Sequence, residues 1–187
     1  MERHEHSGKS SRDLLDPEKI LTQAGLKRGN TFLDAGCGEG HFSFVASEIV
    51  GETGRVHAVD IYEEAINAVK KESHERGIGN IRAVSADLTK TMPITDGSID
   101  MCLMADVFHG FVTNEEVDSS LGEIYRVLKD GGLFVVVEFK KIEDPIGPPL
   151  HVRLTPDEVK EILAPYGFKD GQIIEAGEYH YAITFTK

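Results

Sequence analysis

Segment 32–42, FLDAGCGEGHF, runs from a short apolar stretch into three glycines at alternate positions, Gly36, Gly38 and Gly40. A carboxylate, Asp34, stands two residues before the first of them, and a small residue, Cys37, sits inside the turn. Glycine there costs backbone entropy, so the turn is expected where something must approach the main chain closely. Other groups capable of chemistry close or follow the later apolar runs: Asp60 and Ile61 at RVHAVD, Asp87 and Leu88 at NIRAVSAD, Ala105 and His109 at SIDMCLMAD, and Glu138 at GLFVVVEF. An acidic residue about twenty positions past a glycine turn can accept hydrogen bonds from both hydroxyls of a ribose, which suits Asp60.

Asp34 discriminates among ribose-bearing ligands. A pyrophosphate against the turn would meet a like charge, a repulsion of about 4 kcal/mol at roughly 4 Å and an effective dielectric near 20. The third position of a dinucleotide fingerprint is, moreover, His41 rather than Gly or Ala. The turn therefore favours an adenosyl ligand that carries positive charge and no phosphate, a description that S-adenosylmethionine meets. Asp87 is placed to accept from the exocyclic amine of adenine while Leu88 packs on the ring; the alternative is that Asp87 only opens the turn into LTKTMP.

These residues need a scaffold, and helical and strand patterns alternate along the chain. DPEKILTQAGL predicts a helix capped by Asp16, begun by Pro17 and stopped at Gly25. Further helices are expected over 41–50, over YEEAINAVKKESHERG, from a capping box at Thr113 and Glu116, and from a second box at Thr155 and Glu158. The helix after Glu116 would align Val117, Leu121, Ile124, Tyr125 and Leu128 on one face. The tail, GQIIEAGEYHYAITFTK, has two strands and no helix between them, so it predicts a hairpin that adds an antiparallel strand. The alternation implies an α/β fold, a doubly wound, Rossmann-like and mostly parallel sheet with helices on both faces. Ligands of such sheets bind beyond the carboxyl ends of the strands, where all the residues above fall.

The 187 residues fit one domain over 16–187, preceded by a polar, flexible segment over 1–15, and 40% hydrophobic residues suffice for a core. A net charge of −12 without a basic tail argues against nucleic acid. Two cysteines, no secretory segment and no membrane span predict a cytoplasmic protein. His4 and His6 make a poor metal set, so no metal is expected.

FLDAGCGEGHF, VHAVDI, VSADL, IDMCLMADVFHGF and YRVLKDGGLFVVVEF, in this order and spacing, resemble the class I S-adenosylmethionine-dependent methyltransferases. The likeness is greatest to the small-molecule branch of the ubiquinone and menaquinone biosynthesis type. The resemblance implies seven strands, the last antiparallel, and methyl transfer to a small-molecule acceptor with S-adenosylhomocysteine as product. It places Asp34, Gly36, Gly38 and Gly40 around the methionine portion, Asp60 and Ile61 at the ribose, Asp87 and Leu88 at the adenine and Ala105 near the ligand.

Methyl transfer from a sulfonium is an in-line displacement in which alignment and exclusion of water do most of the work. A base is needed when the acceptor atom is protonated, and His109 and Glu138 are the candidates. The loop FKKIEDPIGPPLHVR leaves the fifth strand as a stiff lid edge, and its His151 and Arg153 could meet an anionic or carbonyl-bearing acceptor. No subdomain is inserted between the fourth and fifth strands, so the acceptor is small or a second subunit supplies a wall; monomer and homodimer both remain open. Rival readings are a protein methyltransferase and a non-catalytic adenosyl-binding protein.

Overall fold

The computed structural model describes residues 14–143 and 146–187. The expected flexible segment, with His4 and His6, thus falls almost wholly outside the described residues.

Five parallel strands form most of the sheet: β1 (Thr31–Ala35), β2 (Arg55–Asp60), β3 (Ile81–Ser85), β4 (Ile99–Ala105) and β5 (Leu128–Phe139). The tail adds β6 (Lys169–Glu175) and β7 (His180–Thr186), in the spatial order β3-β2-β1-β4-β5-β7-β6. β7 runs antiparallel to both β5 and β6. Because β7 is reversed, its first residue, His180, lies at the edge where the parallel strands end, opposite Phe139. The winding reverses between β1 and β4, which pair directly, so their carboxyl ends flank the crevice.

Alternate residues of each strand fill two cores. Phe32, Val56, Leu103 and Val135 meet Ile20, Leu21 and Ala24 of α1 (Pro17–Ala24) and Phe42, Ala46 and Val50 of α2 (His41–Val50). Leu33, Val59, Cys102 and Val136 face the other way, against Leu121 and Ile124 of the second helix after β4 and Val159 and Leu163 of the helix following β5. Between β2 and β3, the helix α3 (Glu63–Glu75) buries Ile66 and Val69.

Local signals explain several boundaries. The Asp16 carboxylate accepts the Lys19 N–H at 3.0 Å, with Pro17 opening α1. The last helix, over Pro156–Leu163, has the expected reciprocal box: Thr155 Oγ1 accepts from the Glu158 N–H, and Glu158 Oε2 from the Thr155 N–H.

The box expected at Thr113 and Glu116 does not form. Thr113 ends a separate short helix, α4 (Phe108–Thr113), where its hydroxyl donates back to the His109 carbonyl at 2.8 Å. Helix α5 starts afresh over Val117–Val127 with no side-chain cap at Glu116. Leu128, assigned to the helical face, turns extended and begins β5, since its backbone pairs with Ile99. The final helix is α6, and a short 3-10 turn over Leu150–Val152 precedes it. Among the described residues no helix is long and apolar enough to cross a membrane.

Candidate active site

The glycine turn leaves β1 by folding back on β2, where the Gly36 and Cys37 N–H groups both donate to the Val59 carbonyl. Gly36 has φ +82°, and a Cβ there would come within 2.6 Å of Val107 Cγ2. Gly38 has φ +51°, and a Cβ there would meet no protein atom within 4 Å. The first glycine is thus demanded by packing; the second bares main chain to the crevice. Gly40, also at positive φ, precedes α2, whose first turn has no side-chain cap. Asp34 reaches this first turn from β1 and accepts from both the main chain and the hydroxyl of Ser43.

Asp60 closes β2 with both oxygens anchored by main chain. The Gly38 N–H donates to Oδ2 at 2.8 Å and the Tyr62 N–H to Oδ1 at 3.0 Å. The ribose-binding candidate is thereby locked to the glycine turn across 22 residues. Beside it, Ile61 and Tyr62 are 59% and 68% exposed, a bare apolar and aromatic shelf. Tyr62 escaped the motif reading because it looked like the opening of α3.

Asp34 is buried, and the Ser43 hydroxyl of α2 donates to its Oδ2 at 2.6 Å. Its pKa is pushed up from 3.8 to about 7, first by burial and also by the Asp60 charge, against the lowering effect of Ser43. Asp34 thus titrates near neutrality in the folded chain instead of standing fully charged. A cation in the crevice would draw it to the ionised form.

Cys37 is buried and its thiol pKa is raised by burial and by the Asp34 and Asp60 charges, so it fills space rather than reacting. Asp87 uses Oδ1 on the N–H and hydroxyl of Thr89, while Oδ2 lies 3.2 Å from Lys90 Nζ. Those Thr89 bonds hold its pKa low. Leu88 packs into the core with Met92 and Ile94. Asp87 therefore does open the turn, from a position one strand over from Asp60.

On the other side of the crevice, His109 and Glu138 meet. Glu138 is fully buried; its Oε1 accepts the His109 N–H at 2.9 Å and its Oε2 lies 2.8 Å from His109 Nδ1. Burial disfavours the imidazolium, but the Glu138 bond and charge and the Asp106 charge outweigh it, leaving the His109 pKa raised. With Nδ1 engaged by the carboxylate, Nε2 is the ring nitrogen left outside the contact with Glu138. The pair comes from α4 and β5, 29 residues apart.

Ala105 ends β4 beside this pair, and Asp106 follows at φ 58°, a left-handed conformation uncommon outside glycine. Asp106 Oδ1 stands 3.3 Å from Nε2 of the fully buried His180, and no hydrogen bond satisfies the polar atoms of either side chain. Residue types alone did not point to His180; the hairpin reversal, which brings the start of β7 to this edge, was the signal.

The lid residues divide. His151 is exposed on the 3-10 turn. Arg153, expected to meet an acceptor, is 2% exposed. Its guanidinium donates to the carbonyls of Pro148, Lys140 and Ile142 and lies over the Phe139 ring. It clasps the loop from within because only a five-donor fork can satisfy so many turned-in carbonyls. No cluster of His, Cys, Asp and Glu among the described residues could hold a metal.

A family model described as "Methyltransferase domain" matches residues 26–178. The ubiquinone/menaquinone biosynthesis C-methyltransferase of Escherichia coli is 36% identical over 128 residues, covering 68% of this chain and 48% of that protein. The chain thus spans about half the length of the curated relatives it matches. A SAM dependent methyltransferase from Aquifex aeolicus superposes with a TM-score of 0.86 at 32% identity, covering 95% of this chain and 93% of that one. A putative type 11 methyltransferase from Sulfolobus solfataricus shares the fold, with a TM-score of 0.76 at 23% identity over 93% of each chain. With the glycine turn, its locked aspartate and the strand order all in place, the chain belongs to the methyltransferase domain family.

Proposed function

We propose that this protein transfers the methyl group of S-adenosylmethionine to a small-molecule acceptor. The observation that carries the reading is the lock between Asp60 and the Gly38 main chain beside a buried Asp34. The residues fit the donor: Gly38 leaves room at the backbone, Asp60 keeps lone pairs for a ribose diol, and Asp34 offers a carboxylate to a cation. Ile61 and Tyr62 offer apolar surface near the ribose. Bound there, the donor supplies an electrophilic methyl on a sulfonium, which needs alignment rather than activation.

The chain's own part lies at the ends of β4 and β5. Glu138 holds the Nδ1 proton of His109, so Nε2 faces the acceptor as a base. His109 Nε2 takes the proton that an acceptor oxygen or acidic carbon gives up as it gains the methyl, and Glu138 stabilises the resulting imidazolium. A phenol or a carbon acid is the acceptor class that needs such a base. The Escherichia coli relative, named as a C-methyltransferase, is in keeping with it. The reaction takes place in the cytoplasm, and His151 on the exposed lid contacts the acceptor.

Calorimetric titration with S-adenosylmethionine and S-adenosylhomocysteine, followed by product detection on phenolic and carbon-acid acceptors, tests the proposal. Asp60→Ala removes charged hydrogen bonds worth about 1.5–3 kcal/mol each and should weaken donor binding at least about a hundredfold. Undiminished affinity in that variant would overturn the site, and binding without turnover on either acceptor class would overturn the role of His109.

A further inference from the structure

The sheet has a second edge, where its strands begin, and it holds a cavity of about 390 Å³. The first residues of β1 and β2 form its floor, the turn at Glu52, Thr53 and Gly54 one wall, and residues from Pro93 to Ser98 the other. The cavity exists because the connection from β3 to β4 contains no helix. The beginning of β2 and β3 is therefore left without a roof on that side, and Arg82 is exposed.

Register then concentrates charge. His57 stands opposite Arg82 in the parallel pairing of β2 and β3. Arg55, two residues before His57, projects from the same face. Arg76 and Arg126 are paired with carboxylates, and Arg153 is held by carbonyls. Arg55 and Arg82 have neither kind of partner among the described residues. His57 is buried between them, its pKa lowered first by burial and then by the charges of Arg82 and Arg55, with no carboxylate offsetting them at the ring. Glu52 is the single carboxylate in the lining, where threonine hydroxyls complete the wall.

Arg55 and Arg82 bring two positive charges to one cavity that holds a single carboxylate, Glu52, an excess that an anion would balance. Each fork matches phosphate oxygens in a bidentate manner, and the hydroxyls add further donors. We propose that this cavity binds the phosphate groups of a small phosphorylated molecule between Arg55 and Arg82. The net charge of −12 disfavours a nucleic-acid polymer, and the cavity volume accommodates a diphosphate with room for an organic substituent. The site is distinct from the crevice: Arg55 and Asp60 open and close the same strand, roughly 17 Å apart at about 3.3 Å per residue.

Calorimetric titration of the full chain with pyrophosphate tests this, with ionic strength held by sodium chloride and S-adenosylhomocysteine present in excess. Parallel arms use ADP and sulfate. One-to-one binding of pyrophosphate is expected, with ADP equal or tighter and sulfate at least tenfold weaker. Arg55→Gln combined with Arg82→Gln should weaken it at least thirtyfold, with the thermal unfolding midpoint little changed because both side chains are exposed. Arg82→Lys, which keeps the charge but not the fork, should fall between. The His57 ring resonance should titrate at higher pH once pyrophosphate is bound. Pyrophosphate heats no greater than the chloride control, sulfate binding as tightly as pyrophosphate, or full affinity in the double variant would each overturn the site. Pyrophosphate affinity that returns when S-adenosylhomocysteine is left out would overturn it too, by placing the anion in the crevice. None of these outcomes depends on methyl transfer.

Discussion

Replacing Asp34 by asparagine is the sharpest probe of the crevice, because the carboxylate has opposite effects on the empty and the occupied protein. Burial raises its pKa from 3.8 to about 7, and at about 1.36 kcal/mol per unit that is a cost of about 4 kcal/mol to ionise it in the folded chain. Because the folded pKa lies above the unfolded one, the folded chain holds the extra proton between the two values. Stability of the ligand-free protein therefore falls as pH rises from about 4 and levels off above about 7. The asparagine amide keeps an acceptor for the Ser43 hydroxyl without the charge, so Asp34→Asn should be more stable than the parent above pH 7, by up to about 4 kcal/mol in urea unfolding.

Donor binding should show the reverse sign. An ammonium group favours the ionised carboxylate, so affinity for S-adenosylhomocysteine should rise up to tenfold per pH unit as pH climbs towards about 7. The ligand amine, with a free pKa of about 7.7–8.0, stays charged through that window and adds no slope of its own. Calorimetry in buffers of different ionisation enthalpy should record proton release below pH 7 in the parent and none in Asp34→Asn. A parent affinity that is flat or falls as pH rises, or a variant that binds as tightly as the parent, would refute the electrostatic account of the crevice.

Two further perturbations separate base chemistry from scaffolding. Glu138→Gln removes the charge that raises the His109 pKa, so the ring should titrate at lower pH by NMR, and the acidic limb of kcat/KM should move with it. An unmoved His109 titration would detach the two residues. Arg153→Met should leave several buried carbonyls of the lid loop without donors, costing about 3 kcal/mol or more, or a drop in Tm of roughly 6–12 °C. An unchanged Tm, read by calorimetry, would show that the clasp contributes nothing.

Much of this architecture was legible because it rests on local chemistry. The glycine turn, the helix caps at Asp16 and Thr155 and the apolar strands each declare themselves within a few residues. The place of Asp60 at a strand end could be read as well, from its distance to the glycines, though its bond to the Gly38 N–H could not. The box at Thr113 misled because the same residue types served a different local bond, a threonine hydroxyl returned to a carbonyl one turn back inside α4. Arg153 misled for a different reason: a basic residue on a polar loop reads as solvent-facing, and only the inward turn of several carbonyls makes burial favourable.

The groups that stayed hidden share one property, dependence on strands distant in sequence. His180 reaches the carboxyl edge because β7 runs backwards, and His57 meets Arg82 because β2 and β3 pair in one register and not the next. A shift of a single residue would turn Arg82 to the opposite face of the sheet and leave His57 beside an apolar neighbour. Side-chain constellations of this kind are set by the pairing of the sheet as a whole. Both edges of this sheet therefore carry side chains that meet only through strand pairing, His180 beside Asp106 at one and His57 beside Arg82 at the other.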